Sequence, residues 1–90
     1  MANHPSALKR HRQSEKRRLR NRAIKTRLRR LVREVRGAIA TGNREEAAKD
    51  LSEAIRALDK AVTKGVLHRN NASRRIARLS HAVGTLQPRG

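Results

Sequence analysis

Apolar residues recur at helical spacing in three separate stretches of this 90-residue chain. The first stretch places six aliphatic residues on one face of a helix, namely Ile24, Leu28, Leu31, Val32, Val35 and Ile39. Gly42 follows this face, and Pro5 and Ser6 lie where a helix start is expected. The pattern therefore predicts a first helix over residues 6–40.

The second stretch carries clear signals at both of its ends. Asn43 is a favourable N-cap residue, and Glu46 three residues later completes something close to a capping box. Gly65 stands where helices commonly end with a residue in the left-handed conformation. These signals predict a second helix over residues 44–64, with an apolar face made of Ala47, Ala48, Leu51, Ala54, Ile55, Leu58, Ala61 and Val62.

The third stretch begins after the sequence GVLHRNN, with Asn70 or Asn71 as the expected N-cap. Its apolar residues follow at the spacing of a packing seam: Ala72, Ile76, Leu79, Val83 and Leu86. Three helices joined by short loops predict an all-α fold, an antiparallel three-helix bundle in a single domain over residues 1–90. We expect its core to contain Leu28, Leu31, Val35, Leu51, Ile55, Leu58, Ile76 and Leu79.

The apolar pattern is missing before Leu19. Residues 9–30 hold twelve Lys or Arg and a single acid, Glu15. On a helix this stretch contains eight like-charge pairs three or four residues apart, and their repulsion totals roughly 2 to 4 kcal/mol at low salt. A first helix of about 50 Å also exceeds what a small bundle needs. We therefore predict that residues 1–20 form a basic extension that becomes ordered only on a partner, while residues 21–87 form the bundle.

The composition excludes several classes of protein. The chain has no Phe, Tyr, Trp or Cys, so it cannot stack bases on Phe, Tyr or Trp rings or build a disulfide framework. No apolar run reaches the length of a membrane span, and the basic N-terminus lacks the apolar core of a signal peptide. These features lead us to expect a soluble protein inside the cell.

The net charge of +17 points to a polyanionic partner. Residues 1–36 carry a net +12, residues 37–64 are neutral, and residues 65–90 carry +5, so the two ends are expected to face that partner. Eighteen of the 24 basic residues are Arg, whose guanidinium groups match phosphate oxygens bidentately. Nucleic acid is the leading partner on these grounds, and an anionic membrane is the second.

Nothing in the sequence predicts catalysis or a bound cofactor. The four histidines lack metal-ligand spacing, the serines lack a triad context, and no phosphate-binding glycine loop occurs. His68 lies in a loop with Arg69, Asn70 and Asn71, and such a loop at the open end of a helix can hold a phosphate. A plain exposed turn explains the same residues equally well.

Composition alone does not separate DNA from RNA. A basic helix leading into an apolar seam is typical of a leucine-zipper DNA-binding protein, but Gly42 ends the seam after about two heptads. A protein that compacts DNA remains an alternative. A cationic membrane-active helix is another, although residues 6–23 lack the apolar face that it requires.

Two long segments, MANHPSALKRHRQSEKRRLRNRAIKTRLRR and KGVLHRNNASRRIARL, resemble the bacterial small-subunit ribosomal protein S-twenty family. The matching pieces are Met1-Ala2-Asn3, Ser6-Ala7, Lys9-Arg10, Gln13, Glu15-Lys16-Arg17, Asn21-Arg22, Lys64-Gly65, His68, Asn70, Ala72, Arg74 and Leu79. The resemblance implies a three-helix bundle with a long first helix that binds 16S ribosomal RNA and enters small-subunit assembly early.

This resemblance, together with the charge pattern, predicts a structural RNA-binding protein of the cytoplasmic ribosome. We expect RNA contacts from Lys9, Arg10, Arg12, Lys16, Arg17, Arg18, Arg20, Asn21, Arg22 and Lys25 in the first helix. A second RNA surface is expected at His68, Arg69, Asn70, Arg74, Arg75 and Arg78. Recognition would be mainly of RNA shape and backbone. We expect no catalytic residue, metal, cofactor, small-molecule substrate, membrane partner or homo-oligomer.

Overall fold

A computed structural model describes the backbone of residues 5–86 and the side chains of residues 7–86. Three helices follow one another: α1 (Pro5–Thr41), α2 (Arg44–Thr63) and α3 (Arg69–Gly84). Short turns reverse the chain twice, so α2 runs back along α1 and α3 runs back along α2. Packing is most extensive between α1 and α2, and α1 touches α3 only sparingly. The predicted all-α arrangement with a long first helix is confirmed.

Both connections use a glycine in the left-handed region. Gly42 has φ of +74° and Gly65 has φ of +75°. The N–H of Gly42 donates to the carbonyl of Ile39 at 3.0 Å, and the N–H of Asn43 donates to the carbonyl of Ala38 at 3.1 Å. This pair of bonds forms a Schellman motif, which satisfies carbonyls that the end of α1 would leave free. Backbone conformation requires glycine at both turns.

The N-termini of α2 and α3 are capped by different kinds of side chain. The Asn43 side chain accepts the N–H of Glu46 at 3.2 Å, so the predicted N-cap is confirmed. The Glu46 carboxylate accepts from the Asn43 side-chain amide, because the Asn43 backbone N–H already donates to α1. At α3 the expectation of Asn70 or Asn71 was wrong: His68 is the N-cap, and its Nδ1 accepts the N–H of Asn70 at 3.1 Å.

The core is small and rich in alanine. Among residues 7–86, six of the twelve buried apolar residues are alanine, which lets the helix backbones approach closely, and only Leu58 and Val35 of that range are both large and fully buried. Five of the predicted core leucines and valines are buried, namely Leu28, Leu31, Val35, Leu58 and Leu79. Leu51 and Ile76 are half-buried against this cluster.

Ile55 was predicted in the core but lies half-buried at the edge of α2, outside the hydrophobic cluster. The centre of the buried face of α2 is occupied by Ala54, Leu58 and Ala61. Ile55 lies about 100° around the helix from Ala54, since each residue turns by that angle. Closely packed helices therefore select the smaller alanine for the central position.

The first half of α1 extends beyond the bundle. Side chains from Ala7 to Arg20 are exposed, except that Glu15 is half-buried, and the hydrophobic cluster takes its first α1 residue at Ile24. The 37 residues of α1 span about 55 Å, against about 30 Å for α2. The molecule is accordingly 71 Å long and only 21 Å by 14 Å in its other dimensions. We call residues 5–19 the projecting segment.

Candidate nucleic-acid interface

The projecting segment presents positive charge on all of its sides. The predicted contacts Lys9, Arg10, Arg12, Lys16, Arg17 and Arg18 are all exposed there. Its one acid, Glu15, accepts a hydrogen bond from Arg18 at 3.2 Å and neutralises only that neighbour. Because no apolar face competes with these cations, the segment suits a site in which phosphates approach from several directions.

From Arg18 onward, six of the nine basic residues of α1 lie along one side of the helix. A basic stripe of exposed side chains lies within about 80° of the helix circumference and consists of Arg18, Arg22, Lys25, Arg29, Arg33 and Arg36. The opposite side of the same helix packs into the core. The stripe therefore continues the charge of the projecting segment along the outer surface of the bundle.

The basic stripe meets α3 in a groove of about 630 Å³. Its floor is apolar and is formed by Val32, Ile39, Leu79 and Ala82. Five arginines line it, three from α1 and two from α3: Arg29, Arg33, Arg36, Arg75 and Arg78. We call this feature the five-arginine groove. Among the described residues, none of those lining it is acidic.

One arginine of the groove is held by a neighbouring side chain. Arg75 Nε donates to the Asn71 side-chain oxygen at 2.9 Å, one helical turn earlier on α3. This bond uses one donor of the guanidinium and leaves the terminal nitrogens able to bind an anion. The conformational freedom that Arg75 would lose on binding is thereby reduced.

The other side of α1 has the opposite character. Glu34, Glu46 and Asp50 line a cleft between α1 and α2. Glu34 lies 3.9 Å from Arg30, and both side chains are largely exposed, so their ion pair contributes little to stability. The bundle thus has a basic groove where α1 meets α3 and an acidic cleft where the end of α1 meets the start of α2.

The start of α3 lies close to the basic part of α1. Arg20 Nη2 donates to the carbonyl of Lys64 at 3.4 Å, which joins α1 to the turn before α3. His68 uses Nδ1 to cap α3, so it satisfies one of the N–H groups that a phosphate would otherwise bind. Arg69, Asn70 and Arg74 are exposed. The two surfaces predicted from the sequence therefore adjoin at this turn.

Asn21 differs from the other predicted contacts because it is half-buried. Its side-chain oxygen is buried and has no hydrogen-bond partner among the described residues. The residue borders a shallow depression together with Arg18, Arg22 and Lys25. Any contact from Asn21 to RNA would therefore use the amide nitrogen, which is a donor suited to phosphate or ribose oxygens.

The sequence-based set left out Arg29, Arg33 and Arg36. Their spacing of four and three residues continues that of Arg22 and Lys25, and this regular interval was the available signal. Because of its apolar residues, this part of α1 was interpreted only as a helix that packs in the bundle. Only the position of α3 reveals that the outer face of the same helix borders a groove.

Residues 5–86 contain neither a cluster that could hold a metal ion nor a helix that could span a membrane. No group of three or more histidine or acidic side chains there is placed to hold a metal ion. None of the helices in that range is long and apolar enough to cross a lipid bilayer.

Comparison with known families agrees with the pattern of residues. The family model described as Ribosomal protein S20 matches residues 2–84. The chain belongs to the ribosomal protein S20 family. This confirms the resemblance found in the sequence.

Members of the S20 family align with nearly the whole chain. The small ribosomal subunit protein bS20 of Nitratidesulfovibrio vulgaris is 51% identical over 87 residues, which cover 97% of this chain and 100% of the relative. The bS20 protein of Maridesulfovibrio salexigens is 55% identical over 96% of this chain and 99% of its own length. The bS20 protein of Geobacter sulfurreducens is 46% identical over 96% of this chain and 99% of its own length.

Proposed function

We propose that this protein is a structural component of the small ribosomal subunit that binds 16S ribosomal RNA directly and stabilises its fold during assembly. The observation that carries the proposal is the continuous basic surface from the projecting segment through the basic stripe to α3. Membership of the S20 family supports it, and the similar proteins bear the name small ribosomal subunit protein. The protein would act in the cytoplasm, on the ribosome, without catalysis or a cofactor.

Binding would rest on phosphate contacts and on RNA shape. Each arginine that pairs with a phosphate releases condensed counterions, so affinity falls steeply as salt rises. The chain has no Phe, Tyr or Trp side chain for stacking on bases. A-form RNA also hides its base edges in a deep, narrow major groove. Specificity therefore comes from the spacing of phosphates in a folded RNA, which a rigid helical surface can match.

The projecting segment would insert where RNA surrounds it. In water its like charges repel one another, whereas phosphates on several sides convert the same charges into favourable contacts. We expect residues 5–19 to gain their helical order mainly from this contact. Residues 1–4 of the predicted extension lie outside the described residues. The bundle from Asn21 onward would supply a prefolded surface.

The proposal is tested by salt titrations of binding to a 16S ribosomal RNA fragment and to duplex DNA of equal charge. We expect tighter binding to the RNA that persists near 0.15 M ionic strength. Each phosphate-contacting arginine replaced by alanine, Arg12 for example, should lower the salt slope by about 1. If the affinities for RNA and DNA are equal and both are lost as salt rises, the proposal is overturned in favour of DNA compaction.

A further inference from the structure

We propose that the five-arginine groove holds the phosphate backbone of one RNA strand. The arginines of α1 contact it from one side and those of α3 from the other. This inference rests on the proposed function and narrows it, since it assigns RNA contacts to a part of α1 beyond the projecting segment. The inference also explains why α1 and α3 contact each other only sparingly, because closer packing would fill the groove.

Charge is the first argument. Arg29, Arg33 and Arg36 repel one another on α1, since residues three and four apart are neighbours on a helix surface. Arg75 and Arg78 add two more cations across the groove, and no acid lines it to offset them. A polyanion relieves this repulsion. The apolar floor also lowers the local dielectric constant, which strengthens each charge-assisted contact with a phosphate.

The placement of charge around the groove is the second argument. Three of its arginines come from α1 and two from α3, so a single strand lying between the two helices can be contacted from both sides. Arginines on both rims match a backbone with charged oxygens on its outer side. Sugars of the same strand can lie over Val32, Ile39 and Leu79. An acidic peptide would have to place carboxylates on two opposite rims at once.

Continuity is the third argument. Arg29 lines the groove and also borders the depression that contains Arg18, Arg22 and Lys25. A strand that leaves the groove at Arg29 therefore meets further cations along the basic stripe toward the projecting segment. The acidic cleft lies on the other side of α1, where it repels RNA and fixes which side of the bundle faces the strand.

The decisive experiment compares two double variants of equal charge. Arg33→Ala with Arg78→Ala removes one cation from each rim of the groove. Arg44→Ala with Arg56→Ala removes two exposed cations from α2 and serves as the matched control. We expect the groove variant to bind the 16S RNA fragment at least tenfold more weakly at 0.15 M salt, with a salt slope lower by about 2. The control should stay within about twofold of the unmodified chain.

Asn71→Ala gives an independent readout, because it removes no charge. Asn71 is a positioning residue for Arg75. Its loss should weaken RNA binding several-fold and leave the salt slope unchanged. Circular dichroism should show native helicity in every variant, since all of the substituted side chains are exposed.

Three outcomes would overturn the inference alone, and a fourth would overturn the proposed function together with it. Normal RNA binding by the groove variant, with weakened binding by Arg12→Ala and Arg17→Ala, rejects the groove and leaves the proposed function standing. Normal RNA binding combined with failed incorporation into reconstituted subunits assigns the groove to a neighbouring protein. Equal weakening of the groove variant and the α2 control means that net charge alone matters. Failure of the unmodified chain to prefer RNA over DNA rejects the proposed function itself.

Discussion

Arginine supplies most of the basic surface and all five cations of the groove. A guanidinium offers five donors in a planar fork, whereas the lysine ammonium is a compact and more strongly hydrated charge. The choice matters most over an apolar floor, where a weakly hydrated cation is removed from water at lower cost. The planar geometry of the guanidinium should therefore add to the affinity for RNA, over and above the effect of its charge.

Replacing Arg33 and Arg78 by lysine tests this contribution. The double variant keeps the net charge, so the salt slope should not change, while affinity for the RNA fragment falls roughly threefold to tenfold because the forks are lost. The same exchange at Arg44 and Arg56 is the control and should have no effect. An affinity identical to that of the unmodified chain would show that the groove senses charge only.

The stability of the bundle depends on very few large side chains. Leu58→Ala should lower the free energy of unfolding by about 2–5 kcal/mol, because Leu58 is fully buried and the cavity cannot be refilled. A small domain has only about 5–15 kcal/mol in total. Urea denaturation followed by circular dichroism measures the change. Leu19→Ala, at a site 59% exposed, is the control and should shift the free energy by less than about 0.5 kcal/mol.

Individual residues show which core and cap positions can be predicted from the sequence and which cannot. Leu58 and Val35 were predicted in the core because large aliphatic residues at helical spacing are the strongest signal of burial. Ile55 was misplaced because the choice between it and Ala54 depends on how closely α2 approaches its neighbours, which no local pattern records. His68 was missed as a cap because histidine is not among the residues that favour this position.

At the scale of elements, α1 combines two functions in one continuous helix. Its second half builds the core with one face and the basic stripe with another, while the projecting segment is charged all round. The ends of α1 and α2 were predicted within one residue, because Gly42 and Gly65 mark them in the sequence. The five-arginine groove could not be predicted, since it forms only when α3 lies beside α1.

Single-residue insertions distinguish the two parts of α1. One alanine inserted after Ser14 rotates the preceding residues by about 100° and moves them about 1.5 Å. Because charge surrounds that segment, RNA affinity should change less than threefold. The same insertion after Arg22 leaves the core from Ile24 onward in register but turns Arg18 and Arg22 out of line with the rest of the basic stripe. We expect a much larger loss there, and equal effects in the same RNA-binding assay would mean that the stripe has no directional role.

Hydrogen exchange reports the order of the projecting segment. In the RNA-free protein, amides of residues 6–19 should exchange rapidly, because this part of the helix combines charge repulsion with an absence of core contacts. Amides between Leu28 and Ile39 should be protected by packing. Addition of the 16S RNA fragment should then protect the projecting segment. Strong protection of residues 6–19 without RNA would contradict the prediction that this part becomes ordered on its partner.

For the whole molecule, the separation of charge sets the orientation of binding. The basic side at α1 and α3 attracts RNA, and the acidic cleft at α1 and α2 repels it. A protein with these two sides approaches a polyanion in a preferred orientation before any contact forms, and this raises the association rate. The neutral total of residues 37–64 indicated from the sequence that the two ends of the chain face the partner, but it did not locate Glu34 in the acidic cleft.

The elongated shape also has a hydrodynamic consequence. The radius of gyration is 18.1 Å, whereas a compact chain of 90 residues would have about 12 Å. A compact protein needs about 250 residues to reach the same radius. Elution from a size-exclusion column follows the hydrodynamic radius, which elongation raises less than the radius of gyration. The monomer should therefore leave the column somewhat ahead of a compact protein of equal mass, while light scattering on the same peak returns 10.2 kDa. Elution volume alone would overstate the mass of a protein that we expect to be monomeric, and the early elution would not change on dilution.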